Sequence, residues 1–250
     1  MGKLIVDLMS DTHNRHGHFK PEGGDILLHS GDVSSRGRPE EIIQFMEWFA
    51  DQDYSHKVFI PGNHDWDLEK NFGFYLKKAE ELGIHLLNDS GVTLTGIYDK
   101  TDLEDNRYSI KVWGSPVQPW FHSWAFNRAR TQREATRIHG WIKPHWDMIP
   151  DDTEILLTHG PAYKILDEVT SIGVNPEINV GCEELAKRIE QLNIALHVSG
   201  HIHEGRGFHY GPKCTYVNAS SLDRMYYPVG DKPMRATREI VQDGSVVYVL

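Results

Sequence analysis

The chain has 250 residues, 39% of them hydrophobic and 25% charged, and it carries a formal net charge of -10. That balance is a soluble globular one with enough chain to bury a sizeable core, and the acidic excess argues against a surface built for nucleic acid, a DNA nuclease included. No apolar run approaches membrane-spanning length, and Cys182 and Cys214 lack any paired spacing, which argues against a disulfide framework or thiolate zinc site and for a reducing cytoplasm.

In chain order, Met1 to Asp7 reaches an acid after three apolar residues, too few for a signal-peptide core. Leu4 to Met9 predicts a first strand that runs into Ser10-Asp11-Thr12-His13-Asn14. At period two Asp11 and His13 point the same way, so they could share one ion, although an Asp-x-His triplet also arises in ordinary loops. Asp25 to Ser30 predicts a second strand, ending in Gly31-Asp32. The spacing of Ile42, Phe45, Met46 and Phe49, with Pro39 and two acids ahead of them, predicts a helix over Arg38 to Phe49. Lys57 to Ile60 predicts a buried strand, ending in Pro61-Gly62-Asn63-His64-Asp65, with Gly62 supplying the tight turn. A helix is expected from Asp67 to Leu82 with Gly83 as its stop, then strands over 84–88, 92–98 and 108–113.

Trp113, Trp120 and Trp124, with Pro116, Pro119 and Phe121, form an aromatic segment that can be read as rings packed under a loop or as a wall that stacks a nucleobase. A helix containing Arg128, Arg130, Arg133 and Arg137 is expected to follow it. Glu154 to Thr158 predicts a strand ending in His159-Gly160-Pro161, and Tyr163 to Gly181 reads as a loop. Cys182 to Leu192 predicts a short helix. Ile194 to Ser199 predicts a strand that ends in Gly200-His201-Ile202-His203, and 214–218 and 245–250 read as further strands. With no internal repeat or linker, one domain over 1–250 is expected.

Five apolar strands therefore end in metal-capable side chains: Asp11 and His13, Asp32, Asn63 and His64, His159, and His201 with His203. Imidazole, carboxylate and amide oxygen without thiolate suit Mn(II), Fe, Zn or Mg. Seven candidate ligands exceed what one transition ion takes and are about right for two ions sharing a carboxylate. The other ten histidines, His16, His18, His29, His56, His85, His122, His139, His145, His197 and His209, read mostly as surface or satisfied core residues. His16, His18, Asn14, Arg15 and Asn218 lie close enough in sequence to the blocks to touch a substrate, but a loop or turn explains them as well.

The order Asp11-x-His13, Gly31-Asp32, Gly62-Asn63-His64-Asp65, His159 and Gly200-His201-x-His203 resembles the calcineurin-like metallophosphoesterase superfamily over nearly the whole chain. Gly114-Ser115-Pro116, Gln118 to Phe121, Thr158 to Pro161, Gly200 to Gly205 and Tyr216 to Ser220 resemble, more narrowly, its metallophosphoesterase-domain subfamily, whose members are similar to cyclic nucleotide phosphodiesterases. The resemblance implies an α/β fold of two mixed sheets packed as a sandwich with flanking helices. It implies Asp11, His13, Asp32 and His203 around one metal and Asp32, Asn63, His159 and His201 around the other, with Asp32 bridging and His64 outside both, near the leaving group. Two positions depart from the protein phosphatases of the superfamily: Ser35 stands where they have an Asp that orients the catalytic His, and Asp65 where they have Glu. Both departures weaken a phosphoprotein phosphatase reading, and retention of His201 points to full two-metal activity.

The expected activity is hydrolysis of a small phosphodiester, a cyclic nucleotide first, by in-line attack of a hydroxide bridging two divalent ions, with manganese first and iron, zinc or magnesium as alternatives. Asp32 and His64 are the expected catalytic residues, and Asn63, His64, Trp120 and Trp124 the expected substrate contacts. A phosphomonoesterase or a metal-binding scaffold are the alternatives. No membrane or polymeric nucleic acid is expected as partner, and the expected location is cytoplasmic.

Overall fold

The structure, a computed structural model, describes residues 4–98, 107–138, 140–170, 178–241 and 243–250. The leader reading on Met1 to Lys3, His139 and part of the expected 163–181 loop lie outside the described residues. In chain order come β1 (Leu4–Met9), β2 (Gly24–His29), α1 (Pro39–Ala50), β3 (Tyr54–Phe59), α2 (Trp66–Lys70), α3 (Phe72–Leu82), β4 (His85–Leu86), β5 (Ser90–Tyr98) and β6 (Arg107–Ser115). They are followed by β7 (Gln118–Pro119), β8 (Asn127–Arg128), α4 (Lys143–Asp147), β9 (Ile155–Thr158), β10 (Glu168–Val169), β11 (Ile178–Asn179) and α5 (Glu183–Gln191). The last strands are β12 (Leu196–Ser199), β13 (Gly207–Tyr210), β14 (Thr215–Asn218), β15 (Met234–Ile240) and β16 (Val246–Val249).

Two six-stranded mixed sheets result, ordered β16-β15-β1-β2-β3-β4 and β13-β14-β12-β9-β6-β5. Strands alternate inward and outward at period two, and that alternation builds the layers. Val6, Leu8, Ile26, Leu28 and Val58 from the first sheet meet Ile110, Val112, Ile155, Leu157, Leu196 and Val198 from the second in one buried core. Met9, Leu27 and Phe59 point the other way, onto Phe45, Phe49, Tyr75 and Ala79 of α1 and α3. Leu156 points outward from the second sheet onto Trp146 of α4 and Leu185 and Ile189 of α5. The layers are thus helix, sheet, sheet, helix.

In the first sheet β1, β2, β3 and β4 are parallel, and in the second β6, β9, β12 and β14 are. A parallel bridge between Ser10 and Ser220 ties the two sheets where β1 and β14 end. The carboxyl ends of both sets of strands therefore open on one common edge, where open α/β sheets place ligands.

Two expected elements take another form. The helix expected over 67–82 is two helices, broken at Asn71, whose backbone leaves helical geometry (φ -121°, ψ 32°) and whose amide donates to the Asp67 carboxylate at 2.9 Å. Local side-chain bonding of this kind competes with helix continuation. The helix expected around Arg128 to Arg137 does not form: Asn127 and Arg128 pair with Gln118 and Pro119 as short strands, and a single 3-10 turn spans Glu134–Thr136. Arg130 is held by the Val180 and Gly181 carbonyls and by Glu183, so tertiary bonding overrides a weak local preference. Gly83 ends α3 in the left-handed region (φ 68°), as its sequence position predicts.

Candidate metal centre

Each metal-capable block sits just past a strand end: Asp11 and His13 after β1, Asp32 after β2, Asn63 and His64 after β3, His159 after β9, and His201 and His203 after β12. The first two loops lace together, with the Asp11 N–H donating to the Gly31 carbonyl at 2.9 Å and the His13 N–H to the Asp32 carbonyl at 3.0 Å. Asp11, His13, Asp32 and His201 all have positive φ, from 40° to 68°. Such backbone is costly for residues with a Cβ and gathers at functional sites. Gly62 serves differently from its expected role as a turn former: its φ is ordinary, but a Cβ there would run into the Asp32 carboxylate. Gly200 likewise leaves room for Ser10 and Asp11.

The side chains converge into three overlapping groups, Asp11 with His13 and His203, Asp11 with Asp32 and His159, and Asp32 with His13 and His64; within each, ligand atoms lie within 4.8 Å of one another. One oxygen of Asp32 lies 3.6 Å from His13 Nε2, 3.5 Å from His159 Nε2 and 4.0 Å from His64 Nε2. Asp11 lies 3.6 Å from His203 Nε2 and 4.0 Å from His13 Nε2. Asn63 Oδ1 is 2.8 Å from His159 Nε2, and the His201 ring lies 5.0 Å from that of His159. All seven residues expected as ligands are thus neighbours, and His64 stands beside them.

Main-chain carbonyls aim the rings. His159 Nδ1 donates to Ser30 O at 2.9 Å, His203 Nδ1 to Asp223 O at 2.8 Å, and His64 Nδ1 to Ser35 O at 2.8 Å. Committing the Nδ1 proton in this way turns the Nε2 lone pair into the site, the usual support for a metal-binding imidazole. The Ser35 carbonyl thus holds the ring that a carboxylate orients in the phosphatases. Asp65 acts elsewhere, accepting from the N–H groups of Gly62, Val33 and Ser34 and from the Ser34 hydroxyl, which locks the loops after β2 and β3 together.

Charge follows the geometry. Burial disfavours the anionic form of both carboxylates, but His203, His159 and His13 outweigh it and hold Asp11 well below the ordinary range. Asp32 is lowered in the same way by His159, His64 and His13. Burial also works against charge on His159 and His203, yet Asp32 and Asp11 raise them to about 9 each. Burial wins at His13 and His201, lowered to about 4 and about 3. The buried anions therefore draw positive charge onto the nitrogens that face them. His159 Nε2 and Asn63 Oδ1, 2.8 Å apart, are two donor atoms that could hold a cation in place of the proton they otherwise share. Donor set, ring support and charge all fit divalent ions with oxygen and nitrogen ligands.

Asp32, Asn63, His64, His201 and His203 floor a cleft of about 230 Å³ whose walls are Phe121, Trp124, Glu204, Arg224 and Tyr226. Trp124 stacks on His64 (centroids 4.3 Å apart, planes at 29°). Tyr226 packs 4.9 Å from the His13 ring and 5.0 Å from that of His203. Trp120, expected beside Trp124, lines a neighbouring hollow instead of the cleft. Arg224 and Tyr226 were not singled out in the sequence, and Glu204 entered only as a member of the Gly200 to Gly205 block. The only signal for Arg224 and Tyr226 is their place in the irregular segment after β14.

Several other candidates have structural duties. The Asn218 amide donates to the Ile202 carbonyl at 2.7 Å and its oxygen accepts from Ser220, which fixes the His201–His203 turn. His29 contacts the Thr12 hydroxyl and His197 the Thr158 hydroxyl, both buried. His16 packs on Phe45 and Trp48, while Asn14, Arg15 and His18 are exposed. Both cysteines are free and buried.

Comparison with known proteins agrees with this arrangement. Residues 6–205 match the family model for calcineurin-like phosphoesterases. Over 230 residues the chain is 35% identical to metallophosphoesterase domain-containing protein 1 of Homo sapiens and of Mus musculus, covering 88% of this chain and 67% of each relative. The Caenorhabditis elegans UPF0046 protein K07C11.7 is 28% identical over 233 residues, covering 88% of this chain and 71% of its own. The crystal structure of TT1561 of Thermus thermophilus superposes with a TM-score of 0.55 at 14% identity, over 88% of this chain and 90% of that one, a likeness of fold. Because the matched segment runs from the first strand through both histidines of the last block, the chain belongs to the calcineurin-like phosphoesterase family.

Proposed function

We propose that this protein is a metal-dependent phosphodiesterase acting on a small substrate, a 2',3'- or 3',5'-cyclic nucleotide first. The observation that carries the reading is the pair of buried carboxylates, Asp11 and Asp32, each shared between two of the three overlapping groups of metal-capable side chains. Asp11, His13, Asp32 and His203 would hold one divalent ion, and Asp32, Asn63, His159 and His201 a second, with manganese the first choice. Bound there, two such ions supply Lewis acidity and a water of lowered pKa.

The chain's own residues do the rest. Asn63, being neutral, contributes an oxygen without adding negative charge to its side of the site. His64, aimed by Ser35 and braced by Trp124, presents Nε2 to the cleft, where its protonated form delivers a proton to the departing oxygen. Arg224 is the one Lys or Arg among the described residues lining the cleft. One such charge suits the single negative charge of a diester better than the double charge of a monoester. Trp124 and Tyr226 offer faces on which a base can rest. A cytoplasmic location is part of the same proposal.

The test is a panel of phosphoesters assayed after reconstitution with Mn(II), Mg(II), Zn(II) or Fe(II), including a cyclic nucleotide and its monophosphate product. Faster turnover of the cyclic ester is expected. Preference for the monophosphate would make the protein a phosphomonoesterase, and bound metal without turnover of any ester would make it a scaffold.

A further inference from the structure

Behind Trp124 lies a second hollow, of about 260 Å³, lined by Trp66, Glu69, Trp120, His122, Ser123, Trp124 and Asn127. Trp124 separates the two spaces, since it lines this hollow as well as the metal cleft. Three indoles around one small cavity with a carboxylate among them are an unusual lining for a loop that merely covers a core. Trp120 is 47% exposed, so its ring is held at the surface instead of being withdrawn into the protein.

Glu69 gives the hollow a sign. Its Oε1 accepts the Phe126 N–H at 2.8 Å, which fixes the carboxylate in place. Among the described residues no Lys, Arg or His forms an ion pair with it. Lys70 places its ammonium 5.7 Å from the Trp66 ring but does not line the hollow. The negative faces of aromatic rings and an uncompensated carboxylate attract the same thing, a poorly hydrated organic cation, and Trp is the strongest ring for that contact. A nucleobase also stacks on indoles, but it gives an unpaired carboxylate no counter-charge. A simple divalent ion meets one carboxylate among apolar rings and too few oxygens.

We propose that the Trp66–Trp120–Trp124 hollow is a binding site for a quaternary or alkylated ammonium group, held by cation–π contact with the indoles and by the charge of Glu69. Such a group has two sources, a free cation or the cationic arm of a phosphodiester that spans the hollow and the metal cleft. The spanning form rests on the phosphodiesterase reading above, whereas binding of the cation alone does not.

Choline, tetramethylammonium and the neutral isostere 3,3-dimethylbutanol, titrated into the full chain and followed by tryptophan fluorescence and by ligand proton line broadening, test the site directly. The cations are expected to bind at least about tenfold more tightly than the alcohol. Glu69→Gln, which keeps the acceptor for Phe126, and Trp120→Ala, at an exposed position, are each expected to weaken cation binding by about tenfold, and Trp120→Phe by less. Equal binding of the alcohol, no binding of either cation, or cation binding that survives both Glu69→Gln and Trp120→Ala would overturn the proposal. The source is then read from nitrophenyl phosphodiesters carrying a choline arm or its neutral isostere. A kcat/KM ratio of about ten or more that collapses toward one in Glu69→Gln marks a spanning substrate. A ratio near one with choline still bound marks a free cation. Failure to hydrolyse any diester would sink the phosphodiesterase reading while leaving the binding result standing.

Discussion

Asp7 and Asp11 lie four residues apart on the same stretch of chain and are both buried, yet their surroundings are opposite in kind. Asp7 is gripped by Arg235, whose Nε and Nη2 each donate at 2.8 Å, and by the hydroxyl of Tyr54. Asp11 accepts the His201 N–H at 3.0 Å and the Ser220 hydroxyl at 2.8 Å, and otherwise faces imidazoles. An arginine fork is always charged and closes the coordination of its partner. An imidazole can give up its proton and accept a metal in its place. Two carboxylates of equal burial on one strand and its exit are thus told apart by the partners they keep: the first holds sheet strands together, the second sits among imidazoles that could share a metal ion with it.

The sharpest way to break that distinction is at Asp32. Asp32→Ala is expected to lower bound metal and bring turnover to background, measured by metal analysis and a phosphodiester assay on the same preparation. A variant that keeps two ions and normal rates would remove Asp32 from the centre. His64→Asn comes next, with an expected loss of about 10²–10⁴-fold on a cyclic nucleotide and much less on a nitrophenyl diester, whose leaving group departs without a proton. Metal content should stay near wild type. Loss of metal would instead make His64 a ligand, which its 4.0 Å approach to Asp32 keeps within reach.

On the structural side, Asp7→Asn should destabilise the fold by about 2–3 kcal/mol. That is less than a fully buried pair would lose, because the Arg235 side chain is 36% exposed. Denaturant unfolding measures the loss, and the metal content of the folded fraction should not change. Activity lost without any loss of stability would show that Asp7 belongs to the functional set after all. The smallest effect is expected at Trp124. Trp124→Ala should raise KM for a nucleotide by about tenfold, in keeping with about 1–3 kcal/mol for one stacked base, while the KM for a small methyl nitrophenyl diester moves little. Equal losses on both substrates would reduce the ring to a brace for His64.

The clustering of the candidate residues was legible because each member follows an apolar run, and parallel strands bring their ends to one edge whatever the loops between them. Asp11, His13, Asp32, Asn63, His159, His201 and His203 could therefore be gathered from sequence order alone. The aromatic segment was legible as chemistry but not as placement: nothing in the spacing of Trp120 and Trp124 tells which of two adjoining spaces each ring enters. Arg224 and Tyr226 stayed hidden because their segment has no periodicity, and Tyr226 reaches His13 and His203 through a left-handed backbone (φ 62°) that a tyrosine seldom adopts. Strands β13 and β15 were also missed. Neither is an apolar run: β13 lies at a sheet edge, and β15 reads Met-Arg-Ala-Thr-Arg-Glu-Ile with two arginines bonded to Asp7 and Glu154.

The carbonyl of Ser35 that aims His64 belongs to the backbone, and every amino acid supplies the same carbonyl. Drift at position 35 can therefore change the hydroxyl, which donates to the His13 carbonyl at 2.6 Å, without removing the acceptor that directs the imidazole. A carbonyl also neither gains nor loses a proton across the working pH range. The ring's heading is thereby insulated both from mutation at that position and from acid, a form of robustness that a carboxylate in the same place would not provide.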